Sequence, residues 1–121
     1  MPKTICVIDD EPGILSEMES WLGDLGYSVM TAGSGHEAFE KMENHKAHLV
    51  ILDVMMPKID GLEVLSKLKN NRKTSSIPVI MLTAKKEASI IMQAQNFQAA
   101  DYFFKPFDQD ELLYSIQRNI L

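Results

Sequence analysis

Five polar residues carry the chemistry that this sequence offers, and each closes or directly follows an apolar run. "ICVIDDEPG" ends its run in Asp9 and Asp10, ahead of Glu11, "HLVILD" ends in Asp53, "IPVIMLTA" carries Thr83 near its end, and "DYFF" is followed by Lys105. Adjacent carboxylates at the end of a buried run raise the free energy unless something nearby neutralises them. A hard divalent cation would do so. Mg²⁺ takes oxygen ligands, keeps several waters, and often binds through a few carboxylates plus a phosphate. A lysine adds a mobile point charge suited to phosphate, and a threonine adds a hydroxyl donor. Together these groups point to phosphoryl chemistry, where positioning and charge neutralisation do most of the catalysis. Asp53 lies in the middle of the set and is the candidate nucleophile, which would form an acyl phosphate.

These residues meet only if the elements between them bring them to one place. Short β-rich runs alternate with helical patterns. The strands are expected at Thr4–Ile8, Tyr27–Ala32, His48–Asp53, Ile77–Ala84 and Asp101–Phe104. Ile14, Leu15, Met18, Leu22 and Leu25 fall at three- and four-residue steps, and Gly26 is placed to stop that helix. Ala38, Phe39 and Met42 mark a second helix, Leu62, Leu65 and Leu68 a third. Residues Glu87–Asn96 read as a fourth and Asp108–Leu121 as a closing one. Alternation of this kind implies parallel βαβ units with right-handed crossovers. Ligands of such sheets bind beyond the carboxyl ends of the strands. Every strand except the second then delivers a polar residue to the same rim.

The bulk properties fit one globular domain over residues 1–121, with 45% hydrophobic and 24% charged residues. A net charge of −5 argues against direct binding to a nucleic-acid backbone. The single cysteine, Cys6, excludes an intramolecular disulfide and reads as a small core residue. No apolar run approaches the ~18 residues of a membrane span, and no targeting segment is evident, so a cytoplasmic protein is expected. His36, His45 and His48 lack metal-ligand spacing and read as surface or packing residues. The eight methionines read as core filler, and Trp21 as packing on the first helix.

The pieces "VIDDEP", "LVILDVMMPKIDG", "VIMLTA" and "DYFFKPF", in this order, resemble the receiver domain of two-component response regulators over essentially the whole chain. The resemblance implies a flavodoxin-like α/β fold: one doubly wound, five-stranded parallel sheet in the order 2-1-3-4-5, flanked by five helices. It also implies roles. Asp53 is the phosphoacceptor. Asp10 is a direct Mg²⁺ ligand, Asp9 one acting mostly through water, and Met55 the residue whose backbone carbonyl completes the metal shell. Thr83 is the hydroxyl that moves to the phosphoryl group, and Lys105 pairs with that group. Pro106 follows a cis bond, a form largely confined to X-Pro. Tyr102 is the aromatic that turns inward when Thr83 moves, and the face of the fourth helix, fifth strand and closing helix changes with it. Ile14, Pro106 and Phe107 form an apolar patch for the helix carrying the phosphohistidine. The implied partners are a histidine kinase or histidine phosphotransfer protein upstream, and a protein target or output domain downstream. The implied oligomeric state is a monomer or a phosphorylation-dependent dimer.

Two departures from the family pattern stand out. Met55 brings no polar group to orient an attacking water, so slow self-hydrolysis of the phosphorylated form is expected. Gln98 stands where the family usually carries glycine, and a differently shaped loop is expected there, because a left-handed Gln would be strained.

Taken singly, the same residues have plainer readings. Asp9 and Asp10 suit a solvated turn, Thr83 a helix N-cap, Lys105 a surface position, Tyr102 and Ile14 ordinary packing. Ile90 and Ile91 suit either an output surface or the core. Three other functions compete. A Mg²⁺ phosphatase would need a general acid near the nucleophile, and "VMM" after Asp53 offers none. A non-phosphorylated interaction module would typically have lost Asp53, Asp10 or Lys105. A flavin binder would need a phosphate-cradling loop after the first strand.

Overall fold

The computed structural model describes residues 2–53, 61–83 and 98–120. In chain order these form β1 (Thr4–Ile8), α1 (Pro12–Asp24), β2 (Ser28–Ala32), α2 (Gly35–Asn44), β3 (Leu49–Asp53), α3 (Gly61–Lys69), β4 (Val79–Thr83), β5 (Asp101–Phe104) and α4 (Gln109–Ile120). The sheet is parallel throughout, in the order β2-β1-β3-β4-β5. Four helices flank it among the described residues. The further helix expected at Glu87–Asn96 lies outside them, as do Met55, Ile90 and Ile91.

The period-two alternation of each strand divides the core between the two faces. Cys6, Ile8, Val50, Leu52, Val79 and Met81 pack with α2 and α3. Ile5, Val7, Leu49, Ile51, Ile80 and Leu82 pack with α1 and α4 through Met18, Leu22, Leu112 and Ile116. All five residues of β3 and of β4 are buried, as central parallel strands covered on both faces must be. Cys6 is fully buried, and desolvation pushes its thiol pKa up to about 12, so it packs as a hydrophobe.

Helix ends are set by local chemistry. Pro12 opens α1, where a missing N–H is harmless. Gly26 stops it with φ +97°; Gly26 N–H donates to Gly23 O and Tyr27 N–H to Leu22 O, a paired closure that needs a left-handed residue. Consequently β2 starts at Ser28, and Tyr27 belongs to the helix closure. Ser34 Oγ accepts from Glu37 N–H at 3.1 Å and starts α2. Asp108 Oδ1 does the same for α4 through Glu111 N–H. β4 begins at Val79, two residues later than its apolar run suggests, because Ile77 N–H is held in a turn by Thr74 O.

The loop before β5 corrects one expectation. Gln98 is left-handed, with φ +66°, so the chain keeps the backbone shape of a glycine position while carrying a side chain. Ala100 N–H then donates to Val79 O at 2.8 Å, which fixes the start of β5 beside β4.

Candidate functional site

Because the strands are parallel, their carboxyl ends share one rim. Asp9 follows β1, Asp53 ends β3, Thr83 ends β4 and Lys105 follows β5. Asp9, Asp53 and Thr83 are buried, at 2%, 5% and 2% exposure, whereas Asp10 is exposed. Burying two carboxylates requires compensation. Lys105 supplies it: its Nζ lies 3.0 Å from Asp9 Oδ2 and 3.6 Å from Asp53 Oδ2. Burial by itself would lower the Lys105 pKa. The hydrogen bond to Asp9 and the charges of Asp53, Asp9 and Glu11 outweigh it and hold the ammonium above its ordinary value. Lys105 is therefore a fixed cation. Its position is set from the backbone as well, since Lys105 N–H donates to Thr83 O at 2.8 Å. The Lys105–Pro106 peptide is cis.

Asp9 is fixed by its own turn, with Oδ1 accepting from Glu11 N–H at 3.1 Å and its backbone N–H donating to Ala32 O. One oxygen from each of Asp9, Asp10 and Asp53 lies within 4.8 Å of the other two. Hard carboxylate oxygens at that spacing suit Mg²⁺, whose ligands sit about 2.0–2.1 Å from the metal. The donor set fits such an ion, with Asp10 on the solvent side and Asp9 and Asp53 beneath.

Thr83 and Tyr102 lie on the same side of the sheet. Met81 is the register partner of Tyr102 and Thr83 that of Phe104, so the alternation puts Thr83 and Tyr102 on the face covered by α2 and α3. Tyr102 is partly buried against that core. A hydroxyl and an aromatic ring therefore lie on one face of adjacent strands, two residues apart in register.

Ile14, Pro106 and Phe107 line one groove of about 340 Å³ with Glu17, Met18, Lys105 and Gln109. Trp21 stacks obliquely on Phe107, with ring centroids 6.4 Å apart, so its packing partner lies beyond α1.

The sequence reading missed two polar anchors. Asp101 accepts from Ser115 Oγ at 2.8 Å, from Arg118 Nη2 at 3.3 Å and from Tyr102 N–H at 2.9 Å, fastening α4 to β5 beside the aromatic. His48 Nδ1 accepts from Thr4 N–H at 3.0 Å while His48 N–H donates to Thr4 O, so this histidine locks the β1 and β3 entrances together. Long-range pairings of this kind leave no local signal; the carboxylate at the start of β5 was the one available hint.

The chain matches the family model of the response regulator receiver domain over residues 5–117. It is 41% identical over 112 residues to the alkaline phosphatase synthesis transcriptional regulatory protein PhoP of Bacillus subtilis, covering 93% of this chain and 46% of that protein. Response regulator Rre1 of Synechocystis is 36% identical over 121 residues, covering 99% of this chain and 52% of that protein. The chain therefore spans about half the length of these curated relatives. Among solved structures, chemotaxis protein CheY4 of Vibrio cholerae superposes with a TM-score of 0.92 at 28% identity, covering all of both chains.

Proposed function

This chain belongs to the response regulator receiver family, and on that premise we propose that it takes a phosphoryl group onto Asp53 in a Mg²⁺-dependent reaction and signals through the face that contains β5 and α4. The observation that carries the proposal is the rim itself: a buried carboxylate, two further carboxylates within metal-binding reach, and one lysine bridging Asp9 and Asp53.

An Asp53 oxygen attacks the phosphorus of a phosphohistidine donor. The new bond is P–O, the P–N bond breaks, and the imidazole leaves with the electron pair. Mg²⁺ held by Asp9, Asp10 and Asp53, with the Met55 carbonyl, would neutralise charge on the phosphoryl oxygens. Lys105 keeps its charge and exchanges a carboxylate partner for a phosphoryl oxygen, a move its flexible stem permits. Thr83 donates its hydroxyl to the same group and leaves its space to Tyr102. Phosphorylation biases two states by its different interactions with each. The groove of Ile14, Pro106 and Phe107 receives the donor, a histidine kinase or phosphotransfer protein, with Lys105 in its lining. The output is a separate protein or an attached domain; the relatives PhoP and Rre1 are about twice as long as this chain. Apolar Met55 leaves the phosphorylated form long-lived, so Met55→Asn should shorten its half-life, and no change would remove that explanation.

Titration with Mg²⁺ and beryllofluoride, followed by amide NMR, tests the switching. The account expects saturable shifts at Asp53, Thr83, Tyr102 and Lys105, dependent on Mg²⁺. Thr83→Ala should retain the Asp53 response and lose that of Tyr102. A Tyr102 response that persists in Thr83→Ala would refute the exchange.

A further inference from the structure

The cations of this acidic chain are unevenly placed. Lys41, Lys67, Lys105 and Arg118 pair with carboxylates. Lys69 is spent on the carbonyls of Ser75 and Ile77. Lys3, Lys46, Arg72 and Lys73 have no carboxylate partner among the described residues; Lys3 and Lys46 lie just before β1 and β3, and Arg72 and Lys73 lie in the loop leading from α3 to β4, at the end of the sheet where the strands begin. That is the end of the sheet opposite the phosphoacceptor. Between the loop joining α2 to β3 and the loop joining α3 to β4 lies a pocket of about 220 Å³. Its floor is Ala47, Thr74 and Ile77, all buried, with Met42 beside them; Lys46, Lys73 and His45 stand exposed around it. Thr74 Oγ1 is committed to Leu68 O at 2.6 Å, so the floor offers apolar contact rather than a free hydroxyl. Among the described residues, Glu43 is the one carboxylate on the wall. Beside the pocket, desolvation first, then the charges of Lys3 and Lys46, hold the His48 pKa below its ordinary value.

An apolar floor beneath two uncommitted ammonium groups from different loops is complementary to a small anion with an apolar body. We propose that this pocket binds a small organic phosphate or carboxylate, its body against Met42, Ala47 and Ile77 and its charge between Lys46 and Lys73. Such a ligand would tie the two loops together at the pole of the molecule that phosphorylation does not use. The proposal stands independently of the phosphorylation reading.

Phenylphosphonate, benzoate, inorganic phosphate and sodium chloride of matched ionic strength would each be titrated into the protein in EDTA and followed by NMR. Phenylphosphonate separates a phosphate-type ligand from benzoate, the carboxylate arm, and inorganic phosphate tests the charge without the apolar body. We expect saturable shifts at His45, Lys46, Ala47 and Lys73 with phenylphosphonate or benzoate, weaker ones with inorganic phosphate, and an upward move of the His48 pKa on saturation. Lys46→Ala and Lys73→Ala, both surface changes, should each weaken binding roughly tenfold. Shifts no larger than those in matched sodium chloride, or shifts untouched by both substitutions, would overturn the proposal. So would saturation confined to the phosphoacceptor rim.

Discussion

Replacing Gln98 by glycine should stabilise this protein, and the size of the gain follows from one dihedral angle. Gln98 has φ +66°, and its side chain is exposed. A left-handed non-glycine residue costs about 1–2 kcal/mol, because Cβ approaches the following carbonyl oxygen. Glycine removes that clash but has more freedom to lose on folding, which returns about 0.5–1 kcal/mol. The net gain is about 0.5–1 kcal/mol. With an unfolding entropy of about 2.1 cal/mol/K per residue over 121 residues, that raises Tm by about 2–4 °C. Urea unfolding and calorimetry of the unphosphorylated protein in EDTA would measure it. Gln98→Ala is the control: alanine keeps the Cβ and should lie within about 0.5 kcal/mol of the parent. A glycine variant no more stable than the parent, or an alanine variant equally stabilised, would refute the reasoning from strain.

Other positions give equally direct tests. A Cβ added at Gly35 would meet Val64 Cγ2 at 2.6 Å, so Gly35→Ala should lose about 1–3 kcal/mol in urea unfolding, and Val64→Ala in the same chain should recover part of it. His48 has a folded pKa below 6.5, so the folded state favours its neutral ring. Its contribution is complete above the unfolded pKa and is lost as pH falls from about 6.5 through the folded value. Stability measured between about pH 7.5 and 5 should therefore fall less steeply in His48→Gln than in the parent; equal slopes would exclude the histidine. Lys105→Met removes the ammonium that pairs with both Asp9 and Asp53. In EDTA it should destabilise the protein by about 1–2 kcal/mol, the buried-pair loss discounted for partial exposure, and saturating Mg²⁺ should restore more stability to it than to the parent. Equal Mg²⁺ stabilisation of both proteins would contradict that view of the site.

The five rim residues were legible because their signal is positional: each stands where an apolar strand ends, and parallel strands end together. The strand cores were legible for the same reason, since β1, β3 and β4 are short, β-branched and flanked by polar residues. What stayed hidden was decided by tertiary contacts. Nothing local marks His48 as the acceptor for Thr4, 44 residues away, nor Asp101 as the anchor for Ser115 and Arg118. At Gln98 the sequence misled. A propensity argument favoured a reshaped loop, but the Ala100–Val79 hydrogen bond and β5 pairing hold the left-handed turn against local preference. The expected strand Tyr27–Ala32 begins one residue too early, because the Tyr27 N–H completes the closure of α1.

The central claim is that Asp53 accepts a phosphoryl group with the help of a metal held by Asp9 and Asp10. Intact-mass spectrometry after incubation with acetyl phosphate and Mg²⁺ tests it most directly, beside Asp53→Asn and EDTA controls. The account predicts one added phosphoryl group, absent from both controls. No adduct, or an adduct that survives Asp53→Asn or the removal of Mg²⁺, would contradict it.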